Sequence, residues 1–304
     1  MTRKLRIGTR DSQLAVWQAT HVQQLLEAKG IATELVYIKS EGDINTTTPL
    51  YEMGVTGIFT KALDLALLGN QIDIAVHSMK DVPVVLAKGI RKAAVLERAS
   101  YRDILVYKQG IDFLSNDQPA IIASSSIRRI AQWRHKFPHH ELVSLRGNVN
   151  TRLRKLEENN WNGAIFAAAG LERIGLRPTN SLDLDWMLPA PAQGAIMVVC
   201  REDDNTSFHN TSVLDHKPTS ICTQVEREFL RTLQGGCSTP VSALAVIENG
   251  QLQFSGNIAS HDGKNMLELH EQCNLDDYED LGHSAAMKIL ISNEPWIKQV
   301  LKKD

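Results

Sequence analysis

Apolar positions along this chain alternate between a period of two and a period near four, and the switches mark out strands and helices in turn. Leu5 to Thr9 reads as a short strand, and Asp11 or Ser12 then caps a helix to about Ala28 whose buried face is Leu14, Trp17, Val22, Leu25 and Leu26. Thr33 to Lys39 is the next strand, so the opening is a strand, helix, strand unit of the kind that builds a parallel sheet. The polar connection from Ser40 to Gly57 is far longer than the usual roughly four to six residues and is expected to act as a lid. Ile58 to Leu68 has helical spacing through Phe59, Leu63 and Leu67, and Ile72 to Val76 is a strand that ends in His77-Ser78-Met79-Lys80-Asp81-Val82-Pro83. Arg91 to Leu96 and Asp103 to Tyr107 are further strands, with Glu97 to Arg102 crossing into a second unit.

That second unit repeats one logic. Ala120 to Ala123 leads to Ser124-Ser125-Ser126 and a helix opening with Ile127-Arg128-Arg129; Glu141 to Leu145 leads to Arg146-Gly147-Asn148 and a helix to about Glu158; Gly163 to Ala168 leads to a short helix carrying Arg173. The proline-rich Leu188 to Gly194 is the return crossing, after which Ala195 to Cys200 rejoins the first sheet as a buried strand. Two crossings predict a hinge with a cleft between the units. The stretch from Arg201 to Pro218 reads as a polar link to the last domain. There Thr219 or Ser220 caps a helix with Ile221, Val225, Phe229 and Leu233 at four-residue spacing, and Gly235 suits the left-handed residue that ends it. A hairpin follows, Ala243 to Ile247 and Gln251 to Phe254, turning through Asn249-Gly250, a strong type I′ signal. A strand near Met266 to His270 and a helix near Asp277 to Leu290 complete a small α+β unit.

Composition sets the class. The chain of 304 residues is long enough for two or three domains, and 43% hydrophobic with 22% charged content is that of an ordered globular protein. No run of about eighteen apolar residues exists, and Met1 to Arg6 leads into a strand without an apolar signal region, so a cytoplasmic protein with no membrane partner is expected. A net charge of -2 argues against nucleic acid as a partner. Cys200, Cys222, Cys237 and Cys273 form no CxxC pair, so neither a metal site nor a disulfide framework is supported.

The chemistry-bearing residues collect at strand ends. Arg10, Arg128, Arg129, Arg146, Arg152 and Arg173 stand where a strand gives way to a helix amino terminus, an arrangement that suits carboxylate or phosphate. Taken singly, Arg10 could be a solvated loop residue and Lys80-Asp81 a surface ion pair. Cys237, just beyond the paired Gly235-Gly236, could likewise be a small buried hydrophobe.

Taken in order, Thr9-Arg10-Asp11-Ser12-Gln13-Leu14-Ala15, Ala75 to Pro83, Ser125-Ser126-Ile127-Arg128-Arg129, Ser144-Leu145-Arg146-Gly147-Asn148-Val149, Ala169-Gly170-Leu171 with Arg173, and Gly235-Gly236-Cys237 closely resemble the porphobilinogen deaminase (hydroxymethylbilane synthase) family. The likeness runs from Leu5 into the last domain, resting on pattern more than motif beyond about Ala245. It implies an α/β fold of two periplasmic-binding-protein-like domains linked by a hinge, residues 1–97 with 194–215 and residues 98–193, plus a small C-terminal α+β domain, residues 216–304. It also implies a transferase that condenses four porphobilinogen molecules head to tail, losing ammonia at each step, to give hydroxymethylbilane for tetrapyrrole biosynthesis. The chain would grow on a dipyrromethane cofactor held by a thioether to Cys237, with no metal, in a monomer.

By the same resemblance Asp81 is the catalytic carboxylate, steadying positive charge on pyrrole nitrogens. Lys80, Ser126, Arg128 and Arg129, with Ser78 and Gly147, would hold the cofactor. Arg10, Ser12, Arg146, Arg152 and Arg173, with Gln18, Phe59 and Gln193, would hold the incoming unit or the elongating chain. Three positions depart from the family pattern: Thr56 replaces a lid lysine, and Ala192 and Asn150 each replace a common glycine. Two rival readings are a carboxylate-binding protein without turnover and a degenerate homologue; the first gives Asp81 and Cys237 no role.

Overall fold

The computed structural model describes residues 3–39, 60–115, 118–235 and 239–301. In chain order the elements are β1 (Leu5–Thr9), α1 (Gln13–Glu27), β2 (Thr33–Tyr37), α2 (Lys61–Leu68), β3 (Ile74–Ser78), β4 (Ile90–Val95), β5 (Asp103–Tyr107), β6 (Ile121–Ala123), α3 (Ile127–Lys136), β7 (Glu141–Val143), α4 (Val149–Glu158), β8 (Gly163–Ala167), α5 (Ala168–Glu172) and β9 (Ser181–Asp183). They continue with β10 (Ile196–Arg201), α6 (Asn205–Ser212), α7 (Lys217–Thr232), β11 (Val241–Glu248), β12 (Gln251–Ala259), β13 (Met266–Asn274), α8 (Leu281–Ile291) and α9 (Pro295–Leu301). The fold class is α/β, and no helix among the described residues is long and apolar enough to cross a membrane.

The chain divides into two compact units. Of the described residues, one takes 3–39, 60–99 and Gly194–Ser220; the other takes those of Ser100–Gln193 and those from Ile221 on. In the first, the sheet order is β2-β1-β3-β10-β4. β1 pairs in parallel with β2 and β3, and β10 lies antiparallel between β3 and β4, so the returning segment supplies a central strand as expected. Its fully apolar run from Ile196 to Cys200 is explained by burial on both faces.

The second unit holds a sheet of order β7-β6-β8-β5-β9 and an antiparallel meander β11-β12-β13. Apolar side chains cover both faces of the five-stranded sheet, Leu156 and Phe166 in one cluster and Trp133 and Ile165 in the other. The meander packs against Val225, Phe229 and Leu233 of α7 and Ala285 and Ile289 of α8. Its first turn has φ of 51° at Asn249 and 78° at Gly250, the paired positive values that the type I′ signal requires.

Several sequence expectations shift. The α1 face that meets the sheet is Ala15, Gln18, Ala19, Val22 and Leu26, while Trp17 and Leu25 are only partly buried. Two alanines one turn apart let the helix lie close to the strands, a reason that counting large residues overlooks. β3 runs two residues further than expected, to Ser78. The supposed polar link contains α6, capped by Asp204, whose Oδ1 accepts from the Ser207 N–H at 2.9 Å. α7 begins at Lys217, placing Thr219 and Ser220 inside it rather than at its cap; His216 Nδ1 meets the Thr219 hydroxyl at 2.8 Å instead. β9 is only three residues long with one apolar position, α9 lies beyond the expected elements although Trp296, Ile297, Val300 and Leu301 have helical spacing, and α8 starts at Leu281 after a 3-10 turn at Leu275–Asp277.

The end of α7 corrects another reading. Gln234, with φ of 51°, is the left-handed residue, and Gly235 is not. The Gly235 N–H reaches the Leu230 carbonyl at 3.0 Å and the Gln234 N–H the Arg231 carbonyl at 2.9 Å, the paired bonds of a Schellman cap. Glycine is needed at 235 for space: a Cβ there would come within 2.6 Å of Leu230 Cδ1.

Ala192 also stands in the left-handed region, with φ of 61°, fully buried, its N–H donating to Glu226 Oε2 at 2.6 Å. An L side chain in that region costs about 1–2 kcal/mol, partly offset by the greater chain entropy that glycine loses. Ala192→Gly is therefore expected to stabilise the protein by about 0.5–1 kcal/mol, read as a raised urea midpoint at unchanged m-value.

His77 on β3 is buried, and its Nε2 has no hydrogen-bond partner among the described residues. Burial first, and the positive charge of Arg10 second, push its pKa down to about 4. A histidine depressed in the folded state costs nothing above its unfolded value of about 6.5 and destabilises the fold as pH falls from there toward 4. His77→Gln should remove this part of the acid sensitivity, on the order of 3 kcal/mol, flattening the fall in denaturation midpoint between pH 6.5 and 4.

Candidate active site

In the first unit, two strand ends carry the polar groups. β1 delivers Arg10, half-buried, just before Ser12, which caps α1 without using its hydroxyl on the helix. β3 ends in Ser78, and the chain then makes a single 3-10 turn, Met79–Asp81, closed by the Val82 N–H on the Met79 carbonyl at 3.2 Å. Pro83 keeps Val82 extended, which stops the turn from growing into a helix. Met79 is buried and pins the turn, its N–H bonded to the Ala195 carbonyl ahead of β10 at 3.0 Å. Lys80 is half-buried and Asp81 is exposed. Gln18 on α1 donates from Nε2 to the Ser78 hydroxyl at 2.9 Å, tying the helix to the strand end.

The second unit places its arginines on three successive strand-to-helix turns. Ser126 caps α3, again without spending its hydroxyl on the helix, and Arg128 and Arg129 occupy the first turn. Both are 6% exposed. Arg129 donates from Nε and Nη2 to Asp103 Oδ1 at 3.0 and 2.7 Å and from Nη1 to the Ile165 carbonyl at 2.9 Å. Arg128 Nη1 donates to the Leu188 carbonyl at 2.7 Å and stands 2.7 Å from Asp103 Oδ2 as an ion pair. Desolvation pulls the Arg128 guanidinium below its ordinary value, opposed by Asp103, and the two arginines hold the fully buried Asp103 carboxyl well below the usual carboxylate range against that same desolvation.

After β7, Arg146 is 8% exposed, with burial lowering its pKa. Its Nε and that of Arg128 are buried with no hydrogen-bond partner among the described residues. Gly147 follows with φ of 114°, and a Cβ there would come within 2.6 Å of Thr151 Cγ2, so only glycine fits the turn into α4. Asn148 caps that helix, and Arg152 returns from it to donate from Nε to the Gly147 carbonyl at 2.7 Å. Arg173, at the end of α5, is desolvated enough to bring its pKa down to about 10. Gln193 is buried and donates to Asp103 Oδ1 at 2.9 Å and to the Tyr101 carbonyl at 2.8 Å.

The structure thus brings Arg128, Arg129 and Gln193 onto one carboxylate, and Arg146, Gly147 and Arg152 into one turn. Phe59, Thr56 and Cys237 lie outside the described residues. Asn150, the other departure, sits in the first turn of α4. Sequence reasoning missed Asp103, although an acid opening the apolar run Ile104-Leu105-Val106 is a signal that a buried charge has partners. It also missed Glu226, fully buried on α7, which accepts from the Ala192 and Ala245 N–H groups at 2.6 and 2.8 Å. Chemically, the buried guanidiniums of the second unit, with Nε groups unspent among the described residues, suit the binding of anions, and the exposed carboxylate on the rigid turn of the first unit suits the steadying of transient positive charge.

Two family models match this chain: residues 5–209 match the porphobilinogen deaminase, dipyromethane cofactor binding domain, and residues 220–291 match the porphobilinogen deaminase C-terminal domain. Porphobilinogen deaminase of Syntrophomonas wolfei is 42% identical over 95% of this chain and 95% of its own length, that of Pelobacter propionicus 41% over 95% and 94%, and that of Carboxydothermus hydrogenoformans 37% over 100% and 99%. Among solved structures, an arginine-specific periplasmic binding protein of Salmonella typhimurium aligns at a TM-score of 0.45 and 10% identity, over 72% of this chain and 94% of that one. With two models spanning nearly all of it and relatives near 40% identity along its whole length, the chain belongs to the porphobilinogen deaminase family.

Proposed function

We propose that this chain is a hydroxymethylbilane synthase, joining four porphobilinogen molecules head to tail into a linear tetrapyrrole, and that it works as a cytoplasmic monomer on porphobilinogen alone. The observation that carries the reading is the pair of buried, unspent Nε groups on Arg128 and Arg146, each in a motif shared with the family. They are donors kept dry for a partner of opposite charge.

The residues fit the dipyrromethane cofactor on the same ground. Each of its rings bears an acetate and a propionate, and Ser126, Arg128 and Gly147 with Arg146 present hydroxyl, guanidinium and bare backbone at consecutive strand ends. When bound, the cofactor supplies the free pyrrole α-carbon on which the first unit is added, and it stays on Cys237 when the finished chain leaves. Lys80, Ser78, Ser126, Arg128 and Arg129 are the residues we assign to holding it.

Each condensation expels ammonia from the aminomethyl carbon of porphobilinogen, joins that carbon to the α-carbon of the growing chain, and frees the α-proton. Positive charge resides on pyrrole nitrogen before and after the bond forms. Asp81, held on its short turn by buried Met79, offers a fixed carboxylate to those N–H groups and can take up the proton. Arg10, Ser12, Arg146, Arg152 and Arg173, with Gln18 and Gln193, bind and orient the ring carboxylates, and Phe59 offers the substrate an apolar contact. Each shielded charged hydrogen bond is worth roughly 1.5–3 kcal/mol, enough to orient a ring and small enough to exchange. A binding protein without turnover has no use for Asp81 or Cys237.

Bilane formation from porphobilinogen tests the reading directly, and no product from intact protein would defeat it. Asp81→Asn should keep the covalent cofactor yet lose turnover by about 10²–10⁴-fold, measured as bilane formed per enzyme; near-normal turnover would remove Asp81 from the chemistry. Cys237→Ala should lack the added dipyrromethane mass on denatured intact protein, whereas an adduct retained on Cys222 or Cys273 would overturn the attachment site.

A further inference from the structure

Arg128 and Arg129 place two guanidiniums side by side in the first turn of α3, almost wholly out of water. Unneutralised, such a pair would grip a carboxylate-rich oligomer tightly at every length, because charged hydrogen bonds strengthen as water is excluded. A catalyst that must pass its chain along cannot use so firm a hold. Asp103 changes the balance.

Asp103 is 0% exposed and opens β5 beneath the two arginines, with Oδ1 accepting from Arg129 and Oδ2 in ionic contact with Arg128. Two guanidiniums against one carboxylate leave one net positive charge. The division is unequal. Arg129 commits Nε, Nη1 and Nη2 to Asp103 and the Ile165 carbonyl, while Arg128 keeps a buried Nε without a partner among the described residues. Gln193 donates to the same Oδ1, so the carboxylate keeps a neutral donor if an arginine turns away from it. The acid is thus supported in two conditions, with its arginines engaged and with them drawn elsewhere.

We propose that Asp103 is a positioning residue that competes with the carboxylates of the growing oligopyrrole for Arg128 and Arg129, limiting the cluster to one net positive charge so that each lengthened chain is held and then released. The proposal rests on the synthase reading above and adds to it a residue that touches neither substrate nor cofactor. No bond to Asp103 is made or broken; it exchanges ionic partners.

The test is the distribution of enzyme-bound intermediates. Holoenzyme is given one to four equivalents of porphobilinogen, quenched in acid and weighed intact, so that chains carrying one to four added pyrroles are counted. Asp103→Asn keeps the size, and its Oδ1 can still accept from Arg129 and Gln193, but it turns an amide NH2 toward Arg128 and raises the cluster to two net charges; its intermediates should persist at about tenfold the wild-type level with no rise in KM, as expected for a slower off-step from a stronger charge pairing. Asp103→Glu, which keeps the charge, should show the wild-type distribution. Arg129→Met brings the cluster to zero and should err the opposite way, with a smaller share of chains carrying the cofactor and few intermediates. A wild-type distribution in Asp103→Asn, or accumulation in Asp103→Glu or Arg129→Met counted among cofactor-bearing chains only, overturns the proposal, and the last two results can overturn it even where Asp103→Asn does not fold. If wild-type protein forms bilane while these variants disobey, only this proposal falls; if wild-type protein forms none, the synthase reading falls with it.

Discussion

A guanidinium taken out of water is costly unless something negative meets it, and this constraint organises the second unit. Burying Arg128 and Arg129 is tolerable because Asp103 lies between them, and burying Asp103 is tolerable because both arginines and Gln193 point at it. Removing Asp103 leaves two unmatched buried charges, whereas removing either arginine leaves a matched pair, so the acid is the member the group depends on. It joins α3, β5 and the segment from Leu188 to Gln193 in a single network, with Gln132 extending it: its amide brackets Leu188 from both sides, donating to the carbonyl at 3.0 Å and accepting from the N–H at 2.9 Å, and also reaches the Ser242 hydroxyl on β11. On the binding roles proposed for Arg128 and Arg129, folding and ligand binding draw on the same charges.

What could be read from sequence follows from range. Periodicity is local, so β1, α1, β5 and the β11-β12 hairpin with its Asn249-Gly250 turn are legible from residues a few positions apart. β10 was legible too, because a run of five apolar residues after a proline-rich segment has few places to go except the middle of a sheet. α6 was not: Asn-Thr-Ser-Phe-His-Asn-Thr-Ser has a single large apolar residue, and its helix is held by the Asp204 cap and by Phe208 under the Arg91 guanidinium at 4.1 Å, a partner more than a hundred positions away. The same distance hides Asp103, whose meaning depends on two arginines about 25 residues on and a glutamine 90 away.

The site was more legible than the fold in one respect. Strand-end arginines, Lys80-Asp81 and the glycines announce themselves as types, and the family motifs name their roles. What type alone cannot supply is commitment. Arg128 and Arg129 are adjacent and chemically identical, yet Arg129 donates from all three of its nitrogens to the protein while Arg128 retains a buried Nε without a partner among the described residues. Glycines mislead in the same way: Gly235 looked like the residue that reverses the helix, but Gln234 takes that conformation and Gly235 clears room for Leu230. Only contacts distinguish these cases.

Turnover of a growing substrate favours this mixture of committed and uncommitted charge. A single deep site for eight or more carboxylates would bind the finished chain best and release it worst, since affinity that is equal at every stage does nothing for the chemical step. On the binding roles proposed for Arg10, Arg128, Arg146, Arg152 and Arg173, moderate contacts spread over several donors would let each carboxylate trade one for another as the chain lengthens, and on the proposal for Asp103 an internal acid would supply a resting partner whenever a donor falls idle. On the catalytic role proposed for it Asp81 would have to stay fixed, and its surroundings are of the opposite kind: a one-turn helix between a buried methionine and a proline, anchored by a backbone bond to the strand beside it. Adaptable cations and one immobile carboxylate are complementary requirements of a reaction in which the chain shifts while the charge-stabilising point stays put.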